Sequence, residues 1–170
     1  MTRILPDAPW RHRSGLSGLL AALDVDQGHA RYVGGAVRDG LLGLPVNDLD
    51  IATSLMPQDV VDRLKAAGIK AVPTGIEHGT ITAVLPDGPV EITTLRRDVS
   101  TDGRRATIAY TDDWQQDAAR RDFTFNALYA DPLSGAISDY FGGVADLDAR
   151  HLRFIGDASA RIAEDHLRIL

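Results

Sequence analysis

Residues 32–53 read YVGGAVRDGLLGLPVNDLDIAT, and the fold turns on how this stretch is organised. His29 to Val33 is a short strand that stops at Gly34-Gly35. Ala36 to Leu42 then has helical character and ends at Gly43, the residue type that commonly follows a helix end. Asp48 to Thr53 alternates as a second strand, so Asp48 and Asp50 share one face while Leu49 and Ile51 point to a core. Two carboxylates side by side repel unless a cation lies between them. With Mg²⁺ present, the same pair is half of a two-metal phosphoryl-transfer site. Taken alone, the Asp-x-Asp pattern also reads as a strand edge with solvated acids. Upstream, a strand, two glycines and a helix form a phosphate cradle. Close backbone approach and a helix N-terminus supply the donors, and Arg38 lies on the first turn. Gly34-Gly35 in isolation also reads as an ordinary tight turn. The pattern is neither a dinucleotide fingerprint nor a P-loop, because the required glycines and the Lys-Ser/Thr pair are missing.

Outward from this centre, 170 residues suffice for one sizeable core. A formal net charge of −6 excludes a uniformly basic nucleic-acid module, so any nucleic acid must meet locally gathered cations. The absence of cysteine excludes a disulfide framework and cysteine-ligated zinc. No apolar run reaches the length of a membrane span, and the N-terminus lacks the apolar core of a secretory signal. A soluble, cytoplasmic protein is expected. Of the basic residues only Lys65 and Lys70 are lysines. Arginine suits phosphates and base edges, although a GC-rich genome produces the same bias.

Residues 1–13 read as a loosely ordered arm. Leu16, Leu19, Leu20 and Leu23 predict a helix over 14–26 with Ser14 as its cap. Pro57 opens another helix to about Ala67. Strands at 79–85 and 89–95 flank the turn Pro86-Asp87-Gly88. Residues 96–116 read as a polar mobile loop and Asp117 to Leu128 as a helix. A turn follows at 131–135, then a short helix after Gly142-Gly143 and a strand around Leu152 to Ile155. A last helix starts after Asp157 and still runs at Leu170, as expected of a chain cut from something longer. His29, His78 and His151 show no metal-ligand spacing.

The run GGAVRDGLLGLPVNDLDIAT resembles the signature of the class II nucleotidyltransferases, which comprise tRNA CCA-adding enzymes and bacterial poly(A) polymerases. PTGIEHGTITAVL (73–85), VEITTLRRD (90–98), DAARRDFTFNALYAD (117–131) and DYFGGVADLDARHLRFIGDASARIAEDHLRIL (139–170) resemble further family segments in family order. The resemblance implies an α/β fold, a small mixed β-sheet backed by helices in the manner of a polymerase-β-like nucleotidyltransferase head domain. It implies an arm and first helix at 1–28, the head at 29–155 and the start of a helical neck at 156–170.

By the same resemblance Asp48 and Asp50 are the metal ligands of a two-Mg²⁺ site. Gly34, Gly35 and Arg38 bind the triphosphate, and Glu91 is a third catalytic acid facing the aspartates. Glu91 also reads as a salt-bridge partner or an exposed strand position. Arg120, Arg121 and Asp122 correspond to the segment that contacts ribose and phosphates, and Asn126 orients these groups or caps locally. Without the resemblance, the arginine pair reads as a solvated helix face. Asp165 and Arg168, neighbours on a helix face, correspond to the protein template that selects CTP or ATP; as bare sequence they are a surface ion pair. The implied reaction adds CMP and AMP to a tRNA 3′ end with release of pyrophosphate. Alternatives are a poly(A) polymerase, a CC-only or A-only enzyme, and a non-catalytic nucleotide-binding module completed by another chain. Most of the tRNA surface is expected in domains absent here, and weak or no turnover is expected of this chain by itself.

Overall fold

A computed structural model of the chain describes residues 3–102 and 105–156. In chain order the elements are α1 (Leu16–Ala22), β1 (Ala30–Val33), α2 (Gly35–Leu41), β2 (Leu49–Thr53), α3 (Pro57–Ala66), β3 (Lys70–Gly75), β4 (Thr80–Leu85) and β5 (Gly88–Thr94). There follow β6 (Arg96–Asp102), β7 (Arg105–Tyr110), α4 (Trp114–Ala119), β8 (Leu128–Ala130), β9 (Ile137–Asp139) and α5 (Gly143–Asp148). Seven strands form one mixed sheet in the order β3-β4-β5-β2-β1-β8-β9, and β6 and β7 form a separate hairpin. Within the seven-stranded sheet β2 and β5 run parallel, and the other pairs are antiparallel. The mixed α/β architecture agrees with the sequence reading, and the sheet is wider than expected.

Strand periodicity divides the side chains between two faces. One face presents Tyr32, Leu49, Ile51, Ile81, Val90, Ile92 and Leu128 to the leucines of α1, to Val37 and to Val60 and Leu64 of α3. This is the main core. The opposite face carries a smaller cluster of Val33, Ala52, Leu95, Ala118, Tyr129 and Ile155, so α4 covers it only in part. Asp50 alternates with Leu49 and Ile51 and therefore opens onto this second, half-covered face.

Several expectations are corrected. The N-terminal residues are not a loose arm. Leu5 (1% exposed) and Trp10 enter the core, and residue 4 bridges Ala136 beside β9. They fit because Gly40 has no side chain; a Cβ there would stand 2.9 Å from Leu5. The first helix spans Leu16–Ala22 with Gly15 at its N-cap, and the Ser14 amide donates instead to Asp87. Residues 96–102 and 105–110 are the paired strands β6 and β7 in place of a loop. The segment read as a helix over 117–128 is split. α4 begins earlier, capped by Asp113, which accepts from the Gln115 and Gln116 amides. It ends at Ala119, and Leu128 starts β8. β3, β8 and β9 were not foreseen, and the expected strand at 152–155 amounts to a single bridge between Phe123 and Phe154. The last helix falls outside the described residues, and with it Asp165 and Arg168. No helix among the described residues is long and apolar enough to cross a membrane.

Candidate active site

The site is assembled where β1, β2, α2 and the segment after α4 converge. Gly34 has φ 72° and ψ −132°, a conformation that side-chain-bearing residues rarely adopt, and this turns the chain from β1 directly into α2. Its carbonyl accepts from the Val37 and Arg38 amides, so the amides of Gly35 and Ala36 precede the first intrahelical bonds. Arg38 donates to Asp39 (2.9 Å) and to Asn126 Oδ1 (2.8 Å), and Asn126 Nδ2 donates to Asp122 Oδ1 (3.2 Å). Asn126 therefore links the arginine of α2 to the segment that follows α4.

Arg120 and Arg121 lie just past the end of α4, not on its solvated face. Arg120 pairs with Asp98 of β6 at 3.4 Å. Arg121 donates to Asp117 and to the Tyr129 hydroxyl. Those partners hold its guanidinium even more firmly in the charged state, outweighing the cost of its partial burial. Together Gly34, Gly35, Arg38, Asp50, Arg120, Arg121, Asp122 and Asn126 line a polar cleft of about 370 Å³. All eight were singled out from the sequence. A larger hollow of about 510 Å³ lies near α1 and Pro132. There Arg11 is committed to backbone carbonyls and Asp24 to Arg63, so the one arginine of that hollow is already engaged.

The carboxylates sit at one side of the cleft. Asp48 is exposed immediately before β2, and Asp50 is half-buried within it. The parallel register of β2 and β5 pairs Asp50 with Glu91, which places these residues on the same face. Glu91 thus faces Asp50 as the sequence suggested, although neither Glu91 nor Asp48 lines the cleft itself. Burial, and then the Glu91 carboxylate, push the Asp50 carboxyl up to about 6; Arg121 opposes the shift and Asp48 adds to it. Asp50 is thereby a carboxylate short of positive charge at the edge of a cleft rich in it.

Four contributors were missed in the sequence. Asp117 and Asp98 anchor the two arginines, and Asp117 stood in the quoted motif without a role. Gly143 packs so tightly under the Thr124 carbonyl that a Cβ there would collide with it. Asp146 accepts from the Thr124 hydroxyl and from Arg153, fixing the turn that carries Asn126. A glycine before an Asp-containing helix was the available signal for the last two.

Comparison with known proteins identifies the family. The family described as "Poly A polymerase head domain" matches residues 30–153. The chain is 47% identical over 157 residues to a zebrafish (Danio rerio) protein named CCA tRNA nucleotidyltransferase 1, mitochondrial, covering 92% of this chain and 36% of that protein. It is 45% identical over 143 residues to a CCA-adding enzyme of Streptococcus pyogenes, covering 83% and 34%. The chain thus spans about a third of the length of these relatives. In three dimensions it resembles the Bacillus stearothermophilus CCA-adding enzyme crystallised with CTP, with a TM-score of 0.75, 38% identity, and coverage of 89% of this chain and 35% of that one. A tRNA nucleotidyltransferase complexed with a primer tRNA and an incoming ATP analog gives a TM-score of 0.67 at 29% identity, covering 89% and 42%. The chain belongs to the poly(A) polymerase head-domain family of nucleotidyltransferases.

Proposed function

We propose that this chain is the nucleotidyl-transfer head of a CCA-adding enzyme, which extends a tRNA 3′ end with CMP and AMP taken from CTP and ATP. The observation that carries the reading is the juxtaposition of two elements. A cleft walled by Gly34-Gly35, Arg38, Arg120 and Arg121 suits a polyanion, and Asp50, paired with Glu91, stands at its edge. In this reading the arginines hold the triphosphate and neutralise the leaving pyrophosphate as charge moves onto it. Asp122 and Asn126 meet the ribose hydroxyls, and Asp165 with Arg168 reads the base edge. The head occupies 29–155, residues 1–28 brace it, and 156–170 begin a helical neck. The tRNA body is held by parts of the longer protein, in the cytoplasm.

The donors at Asp48 and Asp50 fit a hard divalent cation: both are carboxylate oxygens, and Glu91 sets a further carboxylate beside Asp50. No group of three His, Cys, Asp or Glu residues suited to a metal occurs among the described residues. The remaining ligands would therefore come from substrate phosphates and water, as Mg²⁺ commonly arranges. Bound Mg²⁺ supplies charge neutralisation at the attacking and leaving oxygens. A second reading, poly(A) synthesis, is favoured by the description of the matching family. The test of the catalytic assignment is Asp48→Ala and Asp50→Ala in the full-length protein. Each is expected to abolish nucleotide incorporation while thermal unfolding stays cooperative. Substantial incorporation by either variant overturns the assignment.

A further inference from the structure

At the end of α4 the fold gathers Arg96, Arg120 and Arg121, and these like charges act on one another. Such a cluster suits a polyanion only if something holds it together before the anion arrives. Asp98 pairs with Arg120 at the surface, and one buried carboxylate, Asp117, is placed to hold the rest from behind. Asp117 is 2% exposed. It accepts from the Arg96 backbone amide at 2.9 Å, from the Tyr129 hydroxyl at 2.6 Å and from Arg121 Nη2 at 3.0 Å. These bonds reach β6, β8 and the cleft from one side chain.

The carboxylate rests on rigid structure. Tyr129 is fully buried in β8, and its ring meets Trp114 edge-on at 5.4 Å. Trp114 in turn lies under the Arg31 guanidinium at 4.1 Å, and Arg31 donates to Ser138 and Tyr140. Arg121, held from behind in this way, lines the same cleft as Asp50.

We infer that Asp117 is a positioning residue, whose buried carboxylate fixes the Arg121 guanidinium in the cleft so that a nucleoside triphosphate meets an already assembled cation. The inference rests on the reading of the cleft as a triphosphate site. Fixing the donor beforehand removes an ordering cost from binding. Asn at 117 keeps the size and one acceptor but loses the charge that restrains Arg121.

The test uses the full-length protein with Asp117→Asn, Arg121→Ala, the two combined, and Tyr129→Phe. CTP and ATP affinities are measured by calorimetry, with KM and kcat in parallel. Asp117→Asn is expected to weaken nucleotide binding about 10-fold or more, the scale of one charge-assisted hydrogen bond, and to raise KM by more than it lowers kcat. In the Arg121→Ala background the same change is expected to alter affinity less than about 2-fold, because Asp117 acts through Arg121. Tyr129→Phe, which retains the buried ring, is expected to shift affinity the same way by a smaller factor. This variant carries the test if Asp117→Asn does not fold. Unchanged affinity in Asp117→Asn overturns the inference, as does a loss that is undiminished without Arg121, or unchanged affinity in Tyr129→Phe where that variant carries the test. Wild-type affinity in Arg121→Ala overturns the triphosphate reading of the cleft, and the inference with it.

Discussion

Replacing Asp50 by Asn should make the metal-free protein more stable while it destroys activity. Burial and the facing Glu91 raise the Asp50 carboxyl from 3.8 to about 6, so ionising it in the folded state is unfavourable. At about 1.4 kcal/mol per unit, a shift of roughly two units corresponds to ~3 kcal/mol at most. Asp50 is only half-buried, and solvent screening reduces this to about 1–1.5 kcal/mol. The sign follows from the raised value. Below the unfolded value near 3.8 the group is protonated in both states, and the wild type loses nothing. Its stability falls as pH rises from there to about 6 and is flat above. Asn carries no charge at any of these values. In EDTA at pH 7.5, Asp50→Asn is therefore expected to melt about 3–5 °C above the wild type, at the few degrees per kcal/mol typical of this chain length. At pH 4.5 the gap should narrow, and Mg²⁺ with CTP should narrow it at pH 7.5 by stabilising the wild type more than the variant. Calorimetry of both proteins at the two pH values is the assay. An Asn variant no more stable than the wild type in EDTA at pH 7.5 refutes the reasoning, as does a gap independent of pH.

Two further outcomes check the architecture. Leu5→Ala should cost about 2–4 kcal/mol in chemical denaturation, because it empties a core position against Gly40; a change below 1 kcal/mol would return residues 3–13 to a loose arm. Gly143→Ala should displace the Thr124 turn and, through Asn126 and Arg38, weaken nucleotide binding as well as stability. Wild-type nucleotide affinity in this variant would show that the turn does not set the cleft.

The cleft was more legible in the sequence than the sheet that carries it. Gly34-Gly35, Asp48 and Asp50, and the 120–126 segment advertise themselves because their chemistry is unusual at that spacing. What was missed lacked a periodic apolar signal. The β6–β7 pair stands apart from the main sheet, and its strands alternate polar and charged residues with few apolar ones. β3 is an edge strand containing Pro73, while β8 and β9 are three residues each. Alanines at 118, 119 and 127 give 117–128 a helical look. Instead tertiary bonding prevails: the Asp117 carboxylate turns inward to Tyr129, and Leu128, Tyr129 and Ala130 are fully buried beside β1. The N-terminal residues were misread because nothing local reveals that Gly40 leaves room for Leu5.

The most direct measurement supplies the full-length protein with all four nucleoside triphosphates and a tRNA lacking its 3′ end, and sequences the products. The account predicts CCA tails that depend on Mg²⁺ and on Asp48 and Asp50. Long A tails, or no extension at all, would contradict it.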